Sequence, residues 1–292
     1  MLNRREFLAA AGALAAGTVC RAPSAETQSV AGGSSAARRA ERLERIGIQL
    51  YAVRREMQRD DDGTLRRLSE IGYREVEFAG YNGRTPQQTR AMLERHRLTA
   101  PSTHIAYDAI TSGWDRALDD ALARGHRIVT IPWLPADARK SASTWREVAS
   151  RFNRAGEAAR ARGLGFAYHN HDFEFTRVDG IVPFDLLLAE TDPALVSFQM
   201  DVFWLVKGGG DPLAYLRAHP ARFSMLHIKD SSGPPDHRQV DVGAGTIDFA
   251  AILRLDASQR RAIRHLFVEH DQPADAMAFA KTSFDHLSAM EY

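Results

Sequence analysis

Eight short β-rich runs alternating with eight amphipathic segments predict an α/β chain folded as a single (β/α)8 TIM barrel. Strict alternation calls for parallel strands, because each right-handed crossover needs a helix. The length agrees: residues 45–292 give the roughly 250 residues that such a barrel takes. No glycine-rich fingerprint follows the first β-rich run, which argues against a doubly wound sheet.

The expected strands, in order, are 46–53 (IGIQLYAV), 74–79 (REVEFA), 100–105 (APSTHI) and 127–132 (RIVTIP). They continue with 165–171 (GFAYHNH), 196–202 (VSFQMDV), 222–228 (RFSMLHI) and 265–270 (HLFVEH). The helical segments between and after them are 63–72, 85–97, 114–125, 143–163, 183–190, 211–219, 246–254 and 273–287. Thr85-Pro86 and Thr246-Ile247-Asp248 read as helix starts, and Gly72, Gly125 and Gly163 as stops.

The N-terminus carries an address. Asn3-Arg4-Arg5-Glu6-Phe7-Leu8 precedes an apolar run ending at Val19, and residues 1–25 read as a signal peptide of the twin-arginine type. A membrane anchor would need about 20 apolar residues, and this run is shorter. A lipoprotein at Cys20 is disfavoured by the bulky Val19 before it. Residues 26–44 are small and polar and read as a linker. The expectation is an exported, periplasmic protein. Cys20 is its single cysteine, so the mature domain must hold together without disulfides. A net charge of +1, with no basic block beyond the linker, gives no footprint for nucleic acid.

In such a barrel the chemistry sits at the C-terminal ends of the strands. Those ends supply Tyr51, Glu77, His104, Pro132-Trp133, His169 with His171, Asp201, His227 with Lys229-Asp230, and Glu269-His270. A single polar residue at a rim is usually structural. Four consecutive strands each ending in a histidine or carboxylate predict a metal site. In AYHNHDFEF (167–175), strand alternation would send His169 and His171 to one face, with Glu174 folding back over them.

The segments IGIQLYAVR, AYHNHDFEF, QMDVFWLVKGGGDP, LHIKD, DVGAGTIDF and FVEHD, in this order, resemble the xylose isomerase-like barrel family, known broadly as sugar phosphate isomerases/epimerases. The resemblance spans essentially residues 45–292 and specifies the superfamily better than the substrate. It implies one divalent metal held at the ends of strands 5 to 8, typically by Glu, Asp, His and Glu. Asp201, His227 and Glu269 match the last three. The strand 5 glutamate is replaced, and His169 is the expected ligand there, with Glu174 and His171 as rivals. Mn²⁺, Co²⁺, Fe²⁺ and Zn²⁺ all suit a mixed carboxylate and imidazole site.

The chemistry implied is metal-assisted removal of a proton alpha to a carbonyl. Glu269 and Glu174 are the candidate bases and His171 a proton shuttle. Lys229, one of four lysines in a chain with thirty-four arginines, would hold an oxyanion, or else pair with Asp230 at the rim. Tyr51, Glu77, His104 and Trp204 are the expected substrate contacts. Reprotonation would give an epimer or isomer, and loss of a beta substituent a lyase product. A non-catalytic sugar-binding barrel is the alternative outside enzymology. Sugar phosphates are scarce outside the cytoplasm, so an unphosphorylated sugar is the expected substrate.

The export reading has a direct test. Changing Arg4→Lys together with Arg5→Lys should leave precursor in the cytoplasmic fraction, still folded, when cell fractions are probed with antibody. Unimpaired secretion of the double variant would point to the general secretory route.

Overall fold

The structure, a computed structural model, describes residues 42–43, 45–256, 258–260 and 262–292. The expected signal peptide, Cys20 and most of the linker lie outside the described residues. Eight parallel strands form a closed barrel: β1 (Gly47–Gln49), β2 (Glu75–Phe78), β3 (Thr99–His104), β4 (Ile128–Ile131), β5 (Gly165–His169), β6 (Ser197–Asp201), β7 (Phe223–Ile228) and β8 (His265–Val268). Each strand pairs with its neighbours in sequence, and β8 closes the ring against β1. No helix among the described residues is long and apolar enough to cross a membrane.

The outer helices begin and end where local chemistry dictates. Thr85 and Gln88 form a reciprocal capping box ahead of Pro86–Arg95, with Pro86 in the first turn. Gly125, at φ 92°, ends Trp114–Arg124 in the left-handed region where glycine is unstrained. Trp145, Phe152, Phe166, Phe184, Phe198 and Phe223 pack fully buried between the helices and the outer faces of the strands.

Several strands stop earlier than the hydrophobic pattern suggests, and each stop aims a side chain. The Gln49 side chain accepts the Tyr51 N–H at 3.1 Å, so the chain leaves β1 in a 3-10 turn over Leu50–Val53. Asp201 caps the helix Val202–Lys207 by accepting the Trp204 N–H at 2.9 Å, which ends β6 one residue early. β5 ends at His169, so strand alternation does not govern His171. A two-stranded ribbon, Asp230–Ser231 with Gln239–Val240, rises beyond β7 and was not legible in the pattern.

The barrel interior is layered. At the N-terminal end of the strands Ala167, Met225 and Phe267 form an apolar plug with Ile128. Gly47 is needed there, since a Cβ would stand 2.6 Å from the Phe267 ring. Above the plug the interior turns polar. Gln49, Glu77, Ser102, Thr130, Gln199 and His227 are all fully buried. A polar layer of this kind survives only if its members satisfy one another.

Candidate active site

His227 of that layer converges with His169, Asp201 and Glu269, all buried, with one ligand atom from each within 4.8 Å of the others. Strand register brings them together: Asp201 lies beside His227 across β6 and β7, and His169 beside Gln199 across β5 and β6. One Asp201 oxygen is used in the helix cap. The other, Oδ2, is buried and accepts no hydrogen bond. Lys229 Nζ stands 3.1 Å from it as an ion pair, but out of line for a hydrogen bond, and His169 Nε2 is 3.8 Å away. An orphaned carboxylate oxygen amid two imidazoles and a second carboxylate fits a divalent ion of intermediate hardness.

The layer below fixes the imidazoles. Glu77 accepts from Gln49 Nε2 at 2.7 Å, Ser102 Oγ at 2.5 Å, Gln199 Nε2 at 2.8 Å and His227 Nε2 at 2.6 Å. Burial alone would raise its pKa, but His104 and His227 hold it well below the carboxylate range. An ionised carboxylate can only accept, which settles which end of the Gln199 amide is the donor. The Gln199 oxygen must therefore accept from His169 Nδ1 (3.0 Å) and His104 Nε2 (2.9 Å). His169 is left with its Nε2 lone pair turned toward Asp201. Burial opposes charge on His227, yet Glu269 at Nδ1 (2.8 Å) and Glu77 at Nε2 push it up to about 10. Glu77 stands behind His227 as carboxylates stand behind ligand histidines in metal centres, and His227 would give up its Nδ1 proton to bind an ion beside Glu269.

Lys229, 1% exposed, joins three carboxylates: Asp201, Glu269 at 2.8 Å and Asp271 at 2.9 Å. Burial disfavours its charge, but those carboxylates together raise its pKa. Burial would raise the Glu269 carboxyl, but the Lys229 and His227 charges hold it well below the carboxylate range, whereas Asp201 is pushed up by its burial to about 6. Asp271 is clasped by the ribbon, accepting from Gln239 Nε2 at 2.6 Å and donating its N–H to Gln239 Oε1 at 2.7 Å. The expected rim pair of Lys229 with Asp230 does not form. Asp230 turns the other way and accepts the N–H groups of Ser231, Gly243, Gly245 and Ile247.

A cleft of about 540 Å³ opens over this floor. It is lined by Tyr51, Ala79, His104, Ala106, Pro132, Trp133, His169, His171, Lys229, Glu269, Asp271 and Gln272. His171 reaches it from beyond the end of β5, its ring 5.0 Å from that of His169. Burial, then the Lys229 charge, depress its pKa to about 4, and its Nδ1 is buried without a partner.

Of the residues expected at the site, Tyr51, His104, His169, His171, Lys229 and Glu269 line the cleft, and Asp201 and His227 lie beneath it within the cluster. Three expected placements need correction. Glu174 is fully buried outside the cleft, accepting the Tyr168 hydroxyl and the His171 N–H (2.9 Å). The 3-10 turn Phe173–Phe175 carries it behind β5, because Tyr168 points outward from the barrel there. Burial lifts it to about 8 despite those hydrogen bonds, so at neutral pH it is a protonated strut and not a base. Glu77 contacts no cleft space and orients His227 and Gln199 instead. Trp204 packs beside the His171 ring at 5.3 Å and below Lys229, and does not line the cleft. Residue type alone concealed Gln49, Gln199, Asp271 and Gln239, because amides and a loop aspartate carry no ligand signature. The phase of Gln199 on β6, two residues before Asp201, was the available hint.

Comparison with known proteins fits this geometry. A model of the family described as "Xylose isomerase-like TIM barrel" matches residues 65–255, more than half of the chain. The chain belongs to the xylose isomerase-like TIM barrel family. A sugar phosphate isomerase/epimerase from Parabacteroides distasonis is 28% identical with a TM-score of 0.73, over 84% of this chain and 98% of that one. The inosose dehydratase of Bacillus anthracis is 33% identical over 110 residues, 37% of this chain and 36% of that protein. The match thus spans about a third of the length of that relative. A zinc-bearing structure of the IOLI protein shares the fold at 14% identity and a TM-score of 0.66, over 84% of this chain and all of that one.

Two variants check the assignments. Glu174 has a folded-state pKa raised above its unfolded value, so the stability it lends is complete below about pH 4.5 and is lost as pH rises through about 8. Glu174→Gln, permanently neutral, should gain stability relative to the parent by up to ~1.4 kcal/mol per pH unit across that window. Urea midpoints at pH 5, 7 and 9 measure it, and turnover should stay far above the loss of about 10²–10⁴ expected of a missing base. Gln199→Met removes the acceptor that sets the His169 tautomer. Divalent-metal affinity, measured by calorimetric titration on the folded variant, should fall about 10–100-fold, and thermal unfolding should come at lower temperature because Glu77 loses a donor.

Proposed function

We propose that this chain is a divalent-metal-dependent enzyme that abstracts a proton alpha to the carbonyl of an unphosphorylated sugar, as an isomerase or epimerase. The observation that carries this reading is the buried His169, Asp201, His227 and Glu269 cluster at the floor of a cleft that also offers an ammonium and a neutral imidazole. Bound there, a divalent ion supplies Lewis acidity toward a carbonyl and its neighbouring hydroxyl.

The chain's own groups do the rest. Glu269, held ionised by Lys229 and His227, accepts the proton from the carbon alpha to the carbonyl. Lys229 places its charge 2.8 Å from Glu269, where it steadies the oxyanion that forms. His171, neutral and lining the same cleft, relays the proton back to carbon.

The lining supports a substrate without phosphate. Lys229 is the sole lysine or arginine among the described residues lining the cleft, and three carboxylates already surround it. A phosphate dianion on the floor would have to compete with those three carboxylates for Lys229.

A lyase reading shares the first step, and the inosose dehydratase similarity favours it. Elimination then follows when the enolised substrate carries a leaving group beta to the carbonyl. One experiment addresses both. Metal-loaded protein is incubated in D₂O with unphosphorylated ketoses and with keto-inositols, and products are read by NMR. Deuterium at the alpha carbon with an isomeric product supports the isomerase or epimerase, and an unsaturated ketone supports the lyase. Glu269→Gln should lower either activity by about 10²–10⁴. Product formed at full rate with no solvent deuterium in it would overturn exchange-coupled proton abstraction.

A further inference from the structure

Tyr51 and Trp133, 42% and 47% exposed, are the large hydrophobic side chains that stand out into solvent among the described residues. Both lie on the mouth of the same cleft, one following β1 and the other following β4. Each ring is braced by an arginine. The Arg54 guanidinium sits 4.1 Å over Tyr51, anchored to the Tyr51 and Asp271 carbonyls at 2.8 and 2.6 Å. Arg139 sits 5.2 Å from the Trp133 ring and 4.0 Å over Phe173. Braced aromatics are pre-positioned and lose little freedom when a ligand stacks on them.

The cleft therefore has two chemically different levels. Its floor is charged and hydrogen-bonding, suited to hydroxyls and a carbonyl. Around the two aromatics lie Ala79, Ala106 and Pro132, whose side chains offer no hydrogen bond, with the exposed Gln272 as the one amide beside them in the lining. A single sugar ring seated on the floor leaves that level without a partner, although about 540 Å³ is room for a drug-sized molecule.

Building on the proton-abstraction reading, we propose that the substrate has two parts: on the floor a sugar oxidised to a ketone at a ring carbon, since a glycoside's anomeric carbon is no longer a carbonyl, and at the mouth a flat aromatic aglycone that stacks on Tyr51 and Trp133. A second sugar ring would have Gln272 for its several hydroxyls beside Ala79, Ala106 and Pro132, with Arg54 already committed to backbone carbonyls, so the apolar aglycone is the better fit.

The test is binding, which does not depend on turnover. The full-length, metal-loaded protein is titrated with methyl glucoside, phenyl glucoside and cellobiose, following calorimetric heat and tryptophan fluorescence. Phenyl glucoside should bind about tenfold or more tighter than methyl glucoside. Trp133→Ala and Tyr51→Ala should each remove roughly two- to tenfold of that advantage, read as the ratio of phenyl to methyl glucoside affinity. Both residues are exposed, so the variants should fold, and unchanged thermal unfolding verifies it. Equal affinity for the phenyl and methyl glucosides would overturn the proposal, and so would an equal gain from cellobiose. If the phenyl preference holds while no alpha-proton exchange occurs on any keto-sugar, the subsite stands and the reaction assigned to the floor fails.

Discussion

A single ionised carboxylate, Glu77, organises the inside of this barrel. Burying such a charge costs several kcal/mol unless every lone pair finds a donor, and here Gln49, Ser102, Gln199 and His227 all donate to it. Their positions are in turn dictated by Glu77. Because it can only accept, the Gln199 amide must turn its oxygen to His169 and His104, and His227 must present its Nδ1 edge to Glu269. The tautomer of one ligand histidine and the orientation of another thus descend from one residue on β2. The apolar plug of Ala167, Met225 and Phe267 closes the barrel below this layer.

Above it, charge is balanced by contact. Lys229 draws together Asp201, Glu269 and Asp271, three carboxylates that would otherwise repel one another in a low-dielectric pocket. Asp271 ties this cluster to Gln239, and through it to the ribbon beyond β7. Asp230, next to Lys229 in sequence, faces the other way and gathers the backbone of the segment 243–247. There Gly245 is required, since a Cβ would lie 2.2 Å from the Asp230 carboxylate. Adjacent residues at one strand end therefore serve opposite faces, one building the pocket and the other its supporting loop.

The residues that sequence reasoning misplaced share a cause. Glu174 and Trp204 belong to segments that follow a strand end, where the chain turns and strand phase no longer applies. The turn Phe173–Phe175 swings Glu174 behind β5, and the helix begun by the Asp201 cap carries Trp204 back beside His171. Glu77 differs: it lies on a strand and points inward as the pattern suggests, but one layer too deep to meet a ligand. Inward phase is visible in a sequence. Depth along the barrel axis depends on the stagger between strands, which is a property of closure.

What the sequence determined by itself is the alternation of eight β-rich and eight helical segments, and with it the parallel barrel. It also determined which residues stand at the C-terminal strand ends, because a period of two and the polarity of the chain are local properties. Asp201, His227 and Glu269 were legible for that reason, and His169 with them. Tertiary structure alone decided that Gln199 governs His169, that Lys229 serves three carboxylates and not Asp230, and that Tyr51 and Trp133 face one cleft. Each of those facts joins residues far apart in the chain, and only ring closure fixes the register that brings them within hydrogen-bonding distance.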